Sequence, residues 1–116
     1  MSDSIKANTV RARKFCDERE WAQFHNPKDT AISLSLEAAE VLEHFQWKSP
    51  EEIKDYLAHH RGDIADELAD VFYWVLLMCD YLQIDLSTAF EAKMRKNELK
   101  YPVEKARGRH TKYDKL

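Results

Sequence analysis

Glycine and proline are scarce in this sequence, with two and three copies among 116 residues. β-Sandwiches and β-barrels need many tight turns, which draw heavily on these residues. Nucleotide sites of the Rossmann and P-loop types need several glycines close together, whereas Gly62 and Gly108 are isolated. The sequence therefore excludes both glycine-rich nucleotide sites and argues against an all-β fold.

Long apolar runs are also missing. The longest extends from Val71 to Cys79, whereas a membrane-spanning helix needs about 20 apolar residues. The N-terminus is polar and lacks the apolar stretch of a secretory signal. The two cysteines, Cys16 and Cys79, form no metal or redox motif. We therefore expect a cytoplasmic protein in a reducing environment, without a membrane partner.

The charge is divided unevenly along the chain. The net charge is −3, with charged residues at 34% and hydrophobic residues at 44%. Residues 103–116 contain five Lys/Arg against two Asp/Glu, and residues 1–102 contain 13 against 19. We predict one helical domain over residues 1–102 and a basic C-terminal tail over residues 103–116. A nucleic-acid partner is not expected, because such domains are normally basic.

Helix start and stop signals divide the chain. Ser49 precedes a proline and has a glutamate three residues later, which is typical of a helix N-terminus. Asp85 is a second candidate N-cap, and Pro102 ends the helix that follows it. The predicted helices span about 3–22, 30–46, 50–82 and 86–99. A break near Gly62 would divide the long third stretch, so the predicted fold is an all-α bundle of four or five helices.

The second and third predicted helices carry the same pattern of carboxylates. Glu37 and Glu40 flank the apolar stripe of one helix, and Glu67 and Asp70 occupy the same edge of the other. Residues three apart share a helix face, so antiparallel packing would bring the two pairs together. Buried carboxylates without a partner are costly, and a divalent cation removes that cost. An all-oxygen ligand set favours Mg²⁺, with Mn²⁺ as a substitute, over zinc.

Two other interpretations of these acidic residues compete with a magnesium site. Acidic residues on charged helices are usually solvated and hold no metal, and this interpretation stays open. A ferritin-like di-iron centre would need Glu-x-x-His in two helices. None of the five histidines has a glutamate three residues before it, which argues against an iron centre.

The two acidic pairs, in this order, resemble the signature of the all-α nucleoside triphosphate pyrophosphohydrolases, the MazG-like and dCTP pyrophosphatase group. Other segments carry the same resemblance, which extends over nearly the whole chain. They are residues 18–27 (EREWAQFHNP), residues 45–47 (FQW), residues 93–97 (KMRKN) and residues 100–102 (KYP).

The resemblance implies that the domain hydrolyses a nucleoside triphosphate to the monophosphate and pyrophosphate, with dCTP or a modified dCTP as the first substrate to test. It also implies a homodimer or homotetramer. Mg²⁺ would be bound by the predicted catalytic residues, which are Glu37, Glu40, Glu67 and Asp70. Of the C-terminal motif, Lys93 and Lys100 would hold phosphate oxygens and Asn97 would donate its amide, and Tyr101 is a further predicted substrate-binding residue. Cations near a helix C-terminus are also favoured by the helix dipole alone.

A nucleobase needs a flat apolar slot, and three tryptophans are candidates to form it. Trp21 and Trp47 are predicted at helix ends beside loops, and Trp74 lies beside the acidic edge of the third helix. Packing in a core or an oligomer interface is the competing interpretation for each ring. His44 is interpreted as a neighbour of the acidic site. Ala12 departs from the animal dCTP pyrophosphatases, in which a histidine occupies this position.

A function from a different class also fits a helical bundle. A binding or regulatory module would keep the fold and use an apolar edge to hold a partner, without catalysis. The response to metal separates the two hypotheses, because a true carboxylate site gains stability from a bound cation by mass action. The basic tail is interpreted either as an arm that closes over phosphates or as a solvated segment.

Overall fold

The computed structural model describes residues 4–116, which contain helices and no strand. The predicted all-α fold is therefore confirmed for this part of the chain. Residue 3, the predicted start of the first helix, lies outside the described residues. Within residues 4–116 five α-helices follow one another: α1 (Ser4–Glu18), α2 (Pro27–Glu43), α3 (Pro50–Tyr81), α4 (Leu86–Lys100) and α5 (Val103–Ala106). Short 3₁₀ helices occupy Ala22–Phe24 and Tyr113–Lys115.

The first two helices differ from their predicted bounds at the turn between them. α1 ends at Glu18 instead of residue 22, because Glu20 adopts a left-handed backbone conformation with φ of 55°. α2 starts at Pro27, three residues earlier than predicted. The side chain of Asn26 accepts a hydrogen bond from the backbone N–H of Asp29 at 2.9 Å, and this cap together with the fixed φ of proline starts the helix.

The predicted caps of α3 and α4 are confirmed. Ser49 and Glu52 form a reciprocal capping box, and the side chain of Asp85 accepts from the backbone N–H of Thr88 at 3.0 Å. The helical geometry of α3 is interrupted at His60, where φ is −126° and ψ is 16°, and two helical segments meet there at a kink. The predicted break near Gly62 is therefore a kink two residues earlier.

The chain forms two compact units, residues 1–84 and residues 85–116. In the first unit α3 packs extensively against α2 and less extensively against α1. The second unit contains α4 and α5. The predicted division at residues 102 and 103 was made on charge, and it stays a prediction. In the described part of the chain, no helix combines the length and the apolarity needed to cross a membrane.

The buried core lies between α1 and α3. Ala12 and Cys16 of α1 pack with the fully buried Leu77 of α3, and Tyr73, Trp74 and Tyr81 cover this cluster. The apolar stripe that flanks Glu67 and Asp70, predicted to include Leu68 and Phe72 and to form the core, lies elsewhere on α3, and Leu68 is 54% exposed. One face of α3 therefore packs against α1 in the core, and the side chains of its predicted apolar stripe remain partly exposed in a single chain.

Candidate functional site

Carboxylates from α2 and α3 converge in the first unit. Glu37 of α2 and Glu67 and Asp70 of α3 each provide one oxygen, and these three oxygens lie within 4.8 Å of one another. Glu37 and Glu67 are half-buried and Asp70 is exposed. The spacing of three residues puts the two α3 side chains on one helix face, and packing of α2 against α3 brings Glu37 to them. We call these three residues the acidic cluster.

Glu40 lies beside the acidic cluster. Burial, followed by the neighbouring Glu40 carboxylate, raises the pKa of Glu37 to about 7. Glu40 is also the largest cause of the raised pKa of Glu67, which His44 partly offsets. Like charges at close range disfavour ionisation, so the four predicted residues form one electrostatically strained group.

This group fits a hard divalent cation. The Oε2 atom of Glu37 is buried and has no hydrogen-bond partner within residues 4–116. A buried polar atom without a partner is costly, and native structures rarely leave one. Oxygen donors of this kind are the ligands that Mg²⁺ and Mn²⁺ prefer. A cation among these oxygens would satisfy the orphaned atom and cancel the repulsion.

A cavity of about 560 Å³ adjoins the acidic cluster. Its walls come from α1, α3 and the turn after α1, and Asp70 belongs both to the cavity lining and to the acidic cluster. The lining is mostly apolar and aromatic, and its rings are Phe15, Trp21, Phe72, Tyr73 and Trp74. A planar apolar ligand in this cavity would therefore lie next to the carboxylates.

Two of the three predicted tryptophans line the cavity. Trp21 lies edge-on to Phe15 with ring centroids 5.6 Å apart. Trp74 lies edge-on to His25 at 5.4 Å, and Nδ1 of His25 is hydrogen-bonded to the Tyr81 hydroxyl at 2.7 Å. His25 thus ties the loop before α2 to α3 and braces one wall of the cavity.

Trp47 is placed differently. It follows the C-terminus of α2, its ring is 87% exposed, and it is absent from the described residues that line the cavity. The structure therefore separates it from Trp21 and Trp74. Its predicted contact with substrate stays a prediction.

Sequence reasoning missed the α1 wall of the cavity. Asn8, Arg11 and Phe15 line it together with Ala12, which is buried. Their spacing of three and four residues puts them on one face of a helix. A helical wheel of α1 would have shown this polar and aromatic face, but only the packing against α3 shows that it borders a cavity.

The predicted phosphate-binding residues lie in the second unit, where Tyr113 contacts two of them. Nζ of Lys100 lies 4.8 Å from the ring centroid of Tyr113, and the Tyr101 ring lies edge-on to that ring at 6.1 Å. The carbonyl of Asn97 accepts from the backbone N–H of Tyr101 at 2.8 Å, and Lys93 is exposed. Their role in phosphate binding stays a prediction.

Residues 32–116 match the MazG-like family. The chain belongs to that family. This match includes the acidic cluster, all of α3 and α2 from residue 32 onward, and it confirms the resemblance seen in the sequence.

Individual proteins similar to this MazG-like chain agree with the family match. It is 34% identical over 105 residues to dCTP pyrophosphatase 1 of Bos taurus, with 89% of the chain and 62% of the relative covered. The human protein of the same name is 33% identical over the same coverage. The chain thus spans about 62% of the length of these curated relatives.

A solved structure confirms the helical MazG-like fold. The crystal structure of a pyrophosphatase from Archaeoglobus fulgidus superposes with a TM-score of 0.81 at 39% identity. The alignment covers 88% of this chain and 95% of the archaeal one.

Proposed function

We propose that this MazG-like protein hydrolyses a nucleoside triphosphate to the monophosphate and pyrophosphate in a Mg²⁺-dependent reaction. The observation that carries the proposal is the sharing of Asp70 by the acidic cluster and the aromatic cavity. A base in the cavity would have its phosphates directed toward carboxylates that need a cation. The names of the relatives, dCTP pyrophosphatase and pyrophosphatase, support this reaction.

Glu37, Glu67 and Asp70 would hold the cation in this proposal, because their oxygens converge. When bound, Mg²⁺ supplies the positive charge that an acidic site needs to accept a triphosphate. Glu40 was predicted as a fourth ligand, and its position beside the cluster also suits it to accept the proton of the attacking water. The water oxygen bonds to phosphorus and the phosphoanhydride bond to the pyrophosphate group breaks.

The aromatic cavity would hold the base. Trp21 and Trp74 provide ring surfaces, and base stacking on an aromatic side chain contributes about 1–3 kcal/mol. Ala12 forms part of the α1 wall and has no polar side chain, so Asn8 and Arg11 are the polar lining groups of α1 that would contact the base edge. dCTP or a modified dCTP is the proposed first substrate. Lys93 and Lys100 would hold phosphate oxygens, Asn97 would donate its amide, and Tyr101 is a further proposed substrate-binding residue.

A homodimer or homotetramer is part of the proposal. Leu36 of α2 and Leu68 of α3 are 60% and 54% exposed, and a second copy would cover such apolar surface. A cytoplasmic location is also proposed. It rests on Cys16 and Cys79, which are both free thiols.

The decisive experiment is a product assay. Purified protein is incubated with Mg²⁺ and a panel of deoxy- and ribonucleoside triphosphates, including dCTP and modified dCTP. We expect the monophosphate and pyrophosphate from at least one of them. Hydrolysis in ¹⁸O-labelled water would show which phosphorus is attacked.

Matched variants control for contaminating phosphatases. Glu37→Gln, purified in the same way, should lack activity, whereas Asp66→Asn, which changes an exposed carboxylate of the same α3 helix, should retain it. Release of orthophosphate would mean that a different bond is cut. The absence of any product, combined with a melting temperature that ignores Mg²⁺, would favour the binding or regulatory module instead.

A further inference from the structure

His44 joins the acidic cluster to a second group of aromatic side chains. Its Nε2 atom lies 3.7 Å from Oε1 of Glu67, and its side chain is only 13% exposed. Its other ring nitrogen, Nδ1, is hydrogen-bonded to the hydroxyl of Tyr56. His44 follows α2 directly and Tyr56 lies in the first part of α3, so this contact links the two helices that carry the carboxylates.

Tyr56 is held on both faces of its ring. The His60 ring stacks on it with centroids 4.0 Å apart and an interplanar angle of 15°, and Nζ of Lys48 lies 4.2 Å from its centroid. His60 is the residue at which α3 kinks, and its Nδ1 contacts Oδ2 of Asp63 at 3.1 Å. The tyrosine hydroxyl is therefore directed at His44 by packing that does not involve the acidic cluster.

The chemistry of these groups selects one arrangement of protons. An ionised Glu67 carboxylate only accepts hydrogen bonds, so it is best served by an N–H at Nε2 of His44. In a neutral imidazole Nδ1 is then the acceptor, and the Tyr56 hydroxyl is the donor to it. Tyr56 thereby selects the tautomer of His44 that points an N–H toward Glu67.

We propose that His44 and Tyr56 are positioning residues that orient Glu67 for the divalent cation. The 3.7 Å contact between His44 and Glu67 in the metal-free protein is longer than a hydrogen bond, and we expect it to shorten when Glu67 binds the cation. Loss of such outer partners of metal ligands typically costs about 10–100-fold in metal affinity or activity. The proposal rests on the proposed function only for the identity of the cation. The proposal gives a role to the part of α3 before the kink at His60, which carries Tyr56 and none of the four predicted carboxylate ligands.

The test measures Mg²⁺ affinity and turnover separately. Apparent affinity comes from the melting temperature of nucleotide-free protein against Mg²⁺ concentration, and kcat and KM come from the product assay. Tyr56→Phe keeps the ring stacked on His60 and removes only the hydroxyl. We expect it to weaken Mg²⁺ binding about tenfold and to lower kcat, with KM for nucleotide unchanged at saturating Mg²⁺.

Two substitutions of His44 sharpen the result. His44→Leu should weaken Mg²⁺ binding at least as much as Tyr56→Phe, and His44→Gln, whose amide replaces the Nε2–H donor, should restore most of the affinity. His59→Gln changes an exposed histidine of α3, and its Mg²⁺ affinity should match that of the wild type. Unchanged Mg²⁺ affinity in Tyr56→Phe and His44→Leu would overturn the proposal, as would a wild type that Mg²⁺ does not stabilise. Mg²⁺ binding that responds to these variants in a protein without turnover would instead support the positioning role and refute the proposed hydrolysis.

Discussion

Glu40 lies one helical turn from Glu37 on α2, and the two carboxylates interact directly. Together with burial, this contact raises the pKa of Glu37 to about 7 from an ordinary value of 4.5. The pair therefore stores electrostatic repulsion in the metal-free protein.

Metal-free stability should depend on pH through Glu37. Because its folded-state pKa is raised, the stabilisation from its protonated form is fully present below about pH 4.5 and is lost as pH rises through about 7. Glu37→Gln mimics the protonated form, so its melting temperature in EDTA should rise relative to wild type between pH 5 and pH 8. Glu43→Gln, a change at an exposed residue of the same helix, should show no such trend. A difference in melting temperature between Glu37→Gln and wild type that stays constant from pH 5 to pH 8 would contradict the raised pKa of Glu37.

Removal of single carboxylates should separate catalysis from folding. Glu40→Gln and Asp70→Asn should each lower kcat by about 100-fold or more, since interactions made in the transition state are lost. Without metal, both variants should melt at or above the wild-type temperature, because each substitution removes like-charge repulsion. Circular dichroism and the product assay measure the two properties. Unfolding of both variants would assign these acids a structural role instead.

Substrate affinity should depend on the aromatic lining of the cavity. Trp21→Ala should raise KM about tenfold or more with a smaller change in kcat, since it removes a stacking surface that contributes about 1–3 kcal/mol. Trp21→Phe keeps an aromatic face and should recover much of the loss. Initial-rate kinetics on the best substrate measure both parameters. A KM unchanged by Trp21→Ala would place the base elsewhere.

The contact between Arg13 and Asp80 should stabilise the packing of α1 on α3. Arg13 forms an ion pair with Asp80 and lies over the Tyr81 ring, 4.9 Å from its centroid. Both ionic side chains are partly exposed, so we expect Asp80→Asn to lower the free energy of unfolding by only about 1 kcal/mol. Asp17, which Arg13 contacts within α1 at 3.3 Å, offers the control, and Asp17→Asn should cost less. Urea denaturation measures both values, and an equal or larger loss for Asp17→Asn would contradict this assignment.

Self-association should depend on apolar surface that one chain leaves open. Leu68→Glu replaces a half-exposed leucine of α3 and should convert an oligomer to a monomer, because burying the new charge in an interface is costly. Light scattering after size exclusion measures the mass, and Glu18→Gln, at an exposed residue of α1, should leave it unchanged. A monomeric wild type at micromolar concentration would refute the proposed oligomer.

Local signals in the amino-acid order were enough to establish the helical class, the Ser49 and Asp85 caps and the two acidic pairs. Caps and periodic stripes are properties of neighbouring residues, so they can be recognised without knowing what packs on them. The family signature can be recognised in the sequence for the same reason, since each acidic pair has a fixed spacing within a single helix.

Packing between helices decided what the spacing left open. The face of α3 that carries Leu77 became the core because α1 covers it, whereas the predicted stripe with Leu68 stayed half-exposed. The same packing joined Trp21 and Trp74 around a cavity and brought Tyr56 to His44 across the α2–α3 turn. These contacts depend on which helix faces pack against each other. A periodic pattern indicates which faces are apolar, but it does not determine which other helix each face contacts.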